Sequence, residues 1–146
     1  MKILALDIAT LCGFRTETSS GVWDFNKSKR GDSYGMRLIR FKSSLKEIMA
    51  MEEIDIVVYE RPAGMFKSSI IVASEMIGVL IALCEERGIQ YTAYSATEIK
   101  KFATGKGNAK KQDMIDSAVE LGFNVIDDNH ADAIHLYNLA KKDLEW

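Results

Sequence analysis

Two short apolar runs, each ending on a carboxylate, constrain this chain more than any other feature: KILALD at residues 2–7 and IDIVVYE at residues 54–60. Aliphatic runs of this length, rich in Val and Ile, are too short for buried helices and read as strands covered on both faces. Such strands belong to a sheet flanked by helices. An acid directly after so apolar a run has few structural reasons to be there, and ligand sites in open α/β sheets lie just beyond strand carboxyl ends. Asp7 and Glu60 are therefore the first candidate functional residues, against the alternative that each is a plain turn or cap.

The rest of the chain supplies the other elements. Residues 13–17 and 22–25, joined through Ser19-Ser20-Gly21, read as a hairpin returning beside the first strand. Residues 33–51 carry Met36, Ile39, Leu45, Ile48 and Met49 at three- and four-residue spacings, which predicts an amphipathic helix. Arg61-Pro62-Ala63-Gly64 then breaks regular structure. Residues 68–87 predict a helix of about twenty residues, roughly 30 Å long, closed by Gly88. Its apolar residues cover more than one face, so a second side must be buried as well. A strand follows at 90–94, then a short helix from 95 or 96 to 102, a glycine-rich loop at 104–108 and a helix at 109–121. A last helix starts near Asp128 or Asn129 and runs to about residue 143. With no repeat, low-complexity tract or linker, one domain over residues 1–146 is expected. The order predicts an α/β fold with a mixed five-stranded sheet, three antiparallel strands followed by parallel additions, and helices on both faces.

At 146 residues and 47% apolar composition, the chain can bury one core without disulfides or a structural metal. Cys12 and Cys84 are far apart and no signal-peptide core is evident, so a reducing, cytoplasmic setting is expected. The longest uninterrupted apolar stretch, at 76–84, falls short of the roughly 20 residues that a bilayer span needs. A soluble protein without membrane contact follows. A net charge of −2 argues on its face against a nucleic-acid partner, but charge is unevenly distributed. Residues 112–146 carry a net −6, while residues 27–46 hold seven Lys or Arg against one Asp and residues 100–111 hold five Lys and no acid. A local basic surface binds a polyanion whatever the net charge; the alternative is a solvated helix face.

If the strands ending in Asp7 and Glu60 are neighbours and parallel, both side chains leave the same edge of the sheet, and Asp132, in the first turns of the last helix, can approach it. Clustered carboxylates repel one another and raise their own pKa values, which makes sense where a cation normally sits among them. Oxygen-only ligands suit Mg²⁺ or Mn²⁺. Two such ions about 3.5–4 Å apart can activate water and stabilise a leaving oxygen in phosphodiester cleavage.

These residues resemble a known family. KILALDIATLCGF, IVVYERP, SEMIGVL, YSATEIKKFATGKGNAKKQDM and DDNHADAIHL together are similar to the RuvC-type Holliday junction resolvases of the RNase H-like superfamily, most of all to their small phage-borne versions. The resemblance runs over nearly the whole chain, and residues 99–111 are its most specific part. It implies an RNase H-like fold and a metal-dependent endonuclease that makes paired cuts in four-way DNA junctions, using Mg²⁺ (or Mn²⁺), two ions per site. Asp7, Glu60 and Asp132 resemble three of the family's metal-binding acids. Where the family usually has a further acid or histidine, this chain has Asn129. Asp128, four residues before Asp132, lies on the same helix face and is taken as the fourth group, with Asn129 as a helix cap or secondary ligand. His130 projects elsewhere.

Lys100 and Lys111 resemble the family's phosphate-contacting lysines, with Lys106 and Lys110 adding general attraction to DNA. Gly105 and Gly107 are read as letting the main chain approach DNA closely. Phe66 stands where the family carries an apolar group that enters the junction centre; the alternative is that Met65 and Phe66 pack at the start of the long helix. The second apolar face of that helix resembles the family's homodimer interface, with burial inside the monomer as the alternative. No small-molecule cofactor is expected. Three competing readings remain: a broader debranching nuclease acting on forks and flaps, a junction-binding protein without chemistry, and an actin-like ATPase. The last is disfavoured by the absence of a phosphate-binding glycine loop after the first strand.

Overall fold

The computed structural model describes residues 1–26, 32–64 and 66–144. Five strands, β1 (Ile3–Asp7), β2 (Leu11–Arg15), β3 (Ser20–Asp24), β4 (Ile56–Glu60) and β5 (Gln90–Tyr94), form one sheet in the order β3-β2-β1-β4-β5. The β1–β2 and β2–β3 pairs are antiparallel, and β1–β4 and β4–β5 are parallel. This is the predicted mixed sheet. Among the described residues five helices flank the sheet: α1 (Met36–Met51), α2 (Lys67–Arg87), α3 (Ala96–Thr104), α4 (Lys111–Glu120) and α5 (Asp128–Leu144).

Strand alternation divides the core in two. Leu4, Leu6, Val57 and Tyr59 point to one face, where they pack with Phe41, Leu45, Met76, Leu80 and Leu83 of α1 and α2. Ile3, Ala5, Ile56 and Val58 point to the other and meet Ile99, Met114, Ile134 and Tyr137 from α3, α4 and α5. All five residues of β1 are buried, as a run apolar on both faces requires. Each large aliphatic side chain removed from water this way contributes roughly 1.5–3 kcal/mol.

The hairpin turn lies earlier in the chain than predicted. It spans Thr16 to Ser19, closed by the Ser19 carbonyl accepting from the Thr16 N–H at 2.7 Å, while the Thr16 hydroxyl oxygen accepts from the Ser19 N–H at 3.0 Å. Side chain–backbone bonding of this kind makes threonine a turn former. Gly21, predicted to lie in the turn, is a strand residue paired with Phe14. Glu52 holds the turn from below, accepting from the hydroxyls of Thr16, Thr18 and Ser19 at 2.7–3.1 Å.

Helix α2 ends as predicted, at Gly88, whose φ of 66° is left-handed and whose neighbour Ile89 donates to the Cys84 carbonyl at 3.0 Å. Averaged over a window, α2 is apolar enough to cross a membrane by length and composition, with a mean hydropathy of 1.8. The longest-apolar-run criterion missed this because polar and charged residues interrupt the run. Met76, Leu80, Leu83 and Cys84 are nevertheless in the protein core, and Glu75, midway along, accepts from the Tyr34 hydroxyl at 2.6 Å.

Candidate active site

Register places the two strand-end acids side by side. Leu6 pairs with Tyr59, so the next step along the parallel β1–β4 pair aligns Asp7 with Glu60, itself opposite Tyr94 of β5. By the period of two, both acids share the face of Ala5 and Val58, the face covered by α5. Asp7 is 7% exposed. Burial, then repulsion by Asp132, Glu60 and Asp128, pushes its carboxyl well above the ordinary carboxylate range. Glu60 is raised by burial, with Lys100 pulling it back. Asp132 is pushed up to about 7 by burial and by the charges of Glu60 and Asp128, against the pull of Lys100 and Lys111.

Helix α5 carries Asp128 and Asp132 to this edge because its start is tied to the hairpin. A Cβ on Gly13 would lie 2.0 Å from the carbonyl oxygen of Asn129, so only glycine lets the helix settle onto β2. Gly13 in turn pairs with Asp7. Sequence reasoning missed Gly13, although a glycine inside a strand is itself a sign of close backbone approach. His130 is buried, with its Nδ1 accepting from the Ile126 N–H and its Nε2 on the Ser20 hydroxyl, each at 3.0 Å. It is committed to anchoring the helix and turned away from the acids. Arg15 adds a further tie, donating to Asn138 Oδ1 at 2.8 Å while stacked on Phe123 and Tyr137.

The cap of α5 differs from expectation. Asp127, and not Asn129, accepts from the His130 N–H, at 2.8 Å. The Asn129 amide is turned toward Asp127, 3.5 Å from its Oδ2. Aspartate takes the cap here because it immediately precedes the helix, where its oxygen meets the third N–H, whereas Asn129 is already inside the first turn. Asp128 stands among the acids electrostatically, raising both Asp7 and Asp132, and lies 3.6 Å from Lys111 Nζ.

The basic segment lies across the same edge. A capping box starts α3 directly after β5: the Ser95 hydroxyl accepts from the Glu98 N–H and Glu98 accepts from the Ser95 N–H. This sets Lys100 where its charge acts on Glu60 and Asp132. Lys110 is exposed, as is Lys106. The two glycines have reasons internal to the chain: Gly105 ends α3 at φ 83°, and a Cβ on Gly107 would press on the Thr97 side chain at 2.9 Å. Phe66 is 72% exposed, so it does not pack at the start of α2. Met65, and residues 27–31 of the other basic stretch, lie outside the described residues.

Asp7, Glu60, Asp128 and Asp132 offer only oxygen donors and an excess of negative charge, the donor chemistry of a hard divalent cation. Among the described residues no three carboxylate, imidazole or thiol groups stand close enough together to hold an ion by themselves. A cation here fits with water or substrate oxygens as further ligands, as is usual for Mg²⁺.

The family model for crossover junction endodeoxyribonuclease RuvC matches residues 25–137, a span that includes Glu60, Asp128 and Asp132 and begins after Asp7. Curated relatives named crossover junction endodeoxyribonuclease RuvC are 28% identical over 68% of this chain in Rhodopirellula baltica and 27% identical over 76% in Paenarthrobacter aurescens. The matched regions span 56% and 64% of those relatives' own lengths. Among solved structures, Thermus thermophilus RuvC superposes with a TM-score of 0.78 at 16% identity, covering 98% of this chain and 96% of that one. The same protein in complex with a Holliday junction substrate also gives 0.78, at 17% identity and 95% and 92% coverage. The yeast mitochondrial Holliday junction resolvase gives 0.66 at 11% identity, over 94% and 76%. These likenesses show a shared RNase H-like fold, and with the family model matching more than half of its residues the chain belongs to the RuvC family.

Proposed function

We propose that this chain is a divalent-metal-dependent endonuclease that cuts four-way DNA junctions by paired phosphodiester hydrolysis, in recombination, repair or phage DNA processing in the cytoplasm of a bacterial or phage-infected cell. The observation that carries the reading is a buried Asp7 surrounded by the charges of Asp132, Glu60 and Asp128, with Lys100 and Lys111 acting on the same cluster. So much uncompensated charge in a buried place is stable only when a cation or a proton neutralises it.

Asp7, Glu60, Asp132 and Asp128 would hold Mg²⁺ or Mn²⁺, two ions per site, with Asn129, its amide turned toward Asp127, no more than an outer partner. Bound there, such ions supply Lewis-acid polarisation of the phosphate and a more acidic water. The protein's own contribution is positional. Lys100 and Lys111 attract a backbone phosphate toward the acids and moderate their repulsion, and exposed Lys106 and Lys110 extend that attraction along the strand. Phe66, exposed ahead of α2, is available to wedge against unstacked bases. Water attacks phosphorus, the bond to the leaving oxygen breaks, and that oxygen takes up a proton.

Paired cuts need two sites, and the outer face of α2 supports a homodimer. Ile71 is 49% exposed, and Ser74, Gly78 and Ala82, at three- and four-residue spacings along the same line, are also exposed. A smooth face of small, uncharged side chains suits close approach of a second copy related by a two-fold axis, matching the pseudo-two-fold of a four-way junction. The test is cleavage of matched synthetic junction, fork, flap and duplex substrates with Mg²⁺ and with EDTA, alongside light scattering for mass. Symmetric nicks in the junction alone, lost in EDTA, are expected. Equal cutting of forks and flaps would favour the broader debranching reading, and metal-independent or absent cutting would refute the proposal.

A further inference from the structure

We propose that a cavity beside the acids, on the α1–α2 face of the sheet edge, seats a second backbone phosphate with Arg37 as its cation. This rests on the DNA-cleaving reading above. The cavity, about 260 Å³, is lined by Ala9, Thr10, Arg37, Ser68, Ser69 and Val72, room for a phosphodiester and several waters at about 30 Å³ each.

Topology explains its position. β3 runs parallel to β1 after two antiparallel steps, so β1, β3, β4 and β5 all end at one edge. Helices α1 and α2 follow β3 and β4 and therefore begin there. Arg37 is in the first turn of α1, Ser68 and Ser69 in the first turn of α2, and Ala9 and Thr10 lie two and three residues after Asp7, which ends β1. Residues 100–111 approach the same edge from the opposite face, since Ile99 and Ala109 belong to the α3–α5 core. A strand crossing the acids would meet lysines on one side and this cavity on the other, next to Phe66.

The lining has the chemistry of an anion seat. Arg37 Nε donates to the Phe25 carbonyl at 3.2 Å, which fixes the guanidinium plane; among the described residues its outer nitrogens make no hydrogen bond. The neighbouring carboxylates are engaged elsewhere: Asp32 with Arg40, and Glu75 with the Tyr34 hydroxyl. A planar donor fork accompanied by three hydroxyls and no carboxylate in the lining suits a phosphate better than a cation or an apolar group. It also gives a role to part of the basic stretch at residues 27–46, which the lysine segment leaves unexplained.

The test uses the Asp7→Asn protein, titrated with a four-way junction and with linear duplex between about 50 and 200 mM salt. Adding Arg37→Gln should weaken junction binding roughly five- to twenty-fold and lower the salt slope by about 1, the loss of one phosphate contact. Arg37→Lys should keep the slope, as a purely structural role for the guanidinium would not predict. If Arg37→Gln prevents folding, the double change Ser68→Ala and Ser69→Ala decides, a two- to five-fold loss of affinity supporting the seat and no loss overturning it. An unchanged slope for Arg37→Gln, with Lys100→Gln lowering it in the same series, overturns the seat and leaves the proposed function standing. Absence of any junction binding by the Asp7→Asn protein overturns both.

Discussion

Replacing Asp132 by asparagine should make the metal-free protein more stable. Holding a carboxyl at about 7 instead of its ordinary 3.8 means that the ionised form strains the fold, by about 1.4 kcal/mol for each tenfold change in acidity. That amounts to roughly 2–4 kcal/mol above neutral pH, shared with Asp7 and Glu60, whose titration is linked to it. The sign follows from proton uptake. Below pH 3.8 the group is protonated in both states and carries no penalty; from there to about 7 only the unfolded chain is ionised, so stability falls as pH rises; above 7 the penalty is complete. The amide removes the charge and keeps the shape. In EDTA at pH 8 the Asp132→Asn protein should melt roughly 5–15 °C higher than the unchanged protein, at about 2–4 °C per kcal/mol for a chain of this size. At pH 5 the gain should shrink to roughly a third. The buried histidines His130 and His135, whose pKa values burial lowers, oppose this trend but are common to both proteins and cancel in the difference. Saturating Mg²⁺ should erase most of that difference, because a ligand at 100 times its Kd stabilises by about 2.7 kcal/mol and the variant has lost a ligand oxygen. Equal melting temperatures in EDTA at pH 8, or a gain independent of pH, would refute the claim that the acids are held in mutual repulsion.

Asp7→Asn should lower junction cleavage by well over about 100-fold, the loss seen even for groups one step removed from a metal, with junction binding by gel shift little changed; cutting at the original rate would remove Asp7 from the site. Gly13→Ala should push the start of α5 off β2 by about 1 Å, costing roughly 1–3 kcal/mol in the thermal melt and about 100-fold in cleavage, a loss larger than that from alanine at Gly35, where a Cβ meets nothing. Lys100→Glu with Lys111→Glu should weaken binding to every DNA sequence alike and flatten its salt dependence by about 2 in log–log slope, measured by anisotropy. Lowering the pH from 6.5 should destabilise the fold through His135, whose Nε2–H donates to the Met114 carbonyl at 2.9 Å and which resists protonation in its buried place; a His135→Gln protein should show a shallower acid limb in its Tm-against-pH curve.

Local signals read well wherever burial and period decided the outcome. β1 and β4 were legible because consecutive buried positions leave no polar choice, and β5 because Gly88 stops the helix before it. The hairpin was misplaced because two turn chemistries competed: serine and glycine at 19–21 look like a turn, yet Thr16 closes an earlier one with its own hydroxyl and is held there by Glu52, 36 residues away. Asn129 and Asp127 illustrate the same limit, since both can cap a helix and only the packing of α5 on the hairpin selects between them.

The residues themselves determined that Asp7 and Glu60 would each end a buried strand, and that a lysine-rich segment without acids would lie in one stretch of chain. Tertiary structure alone decided that these parts meet. Alternation turns both acids toward α5, but the close contact of Gly13 with the distant Asn129 is what lets that helix deliver Asp128 and Asp132 to them. A chain's own pattern encodes which face each side chain takes; how closely two backbones approach depends on every residue packed between them, and no local spacing records it.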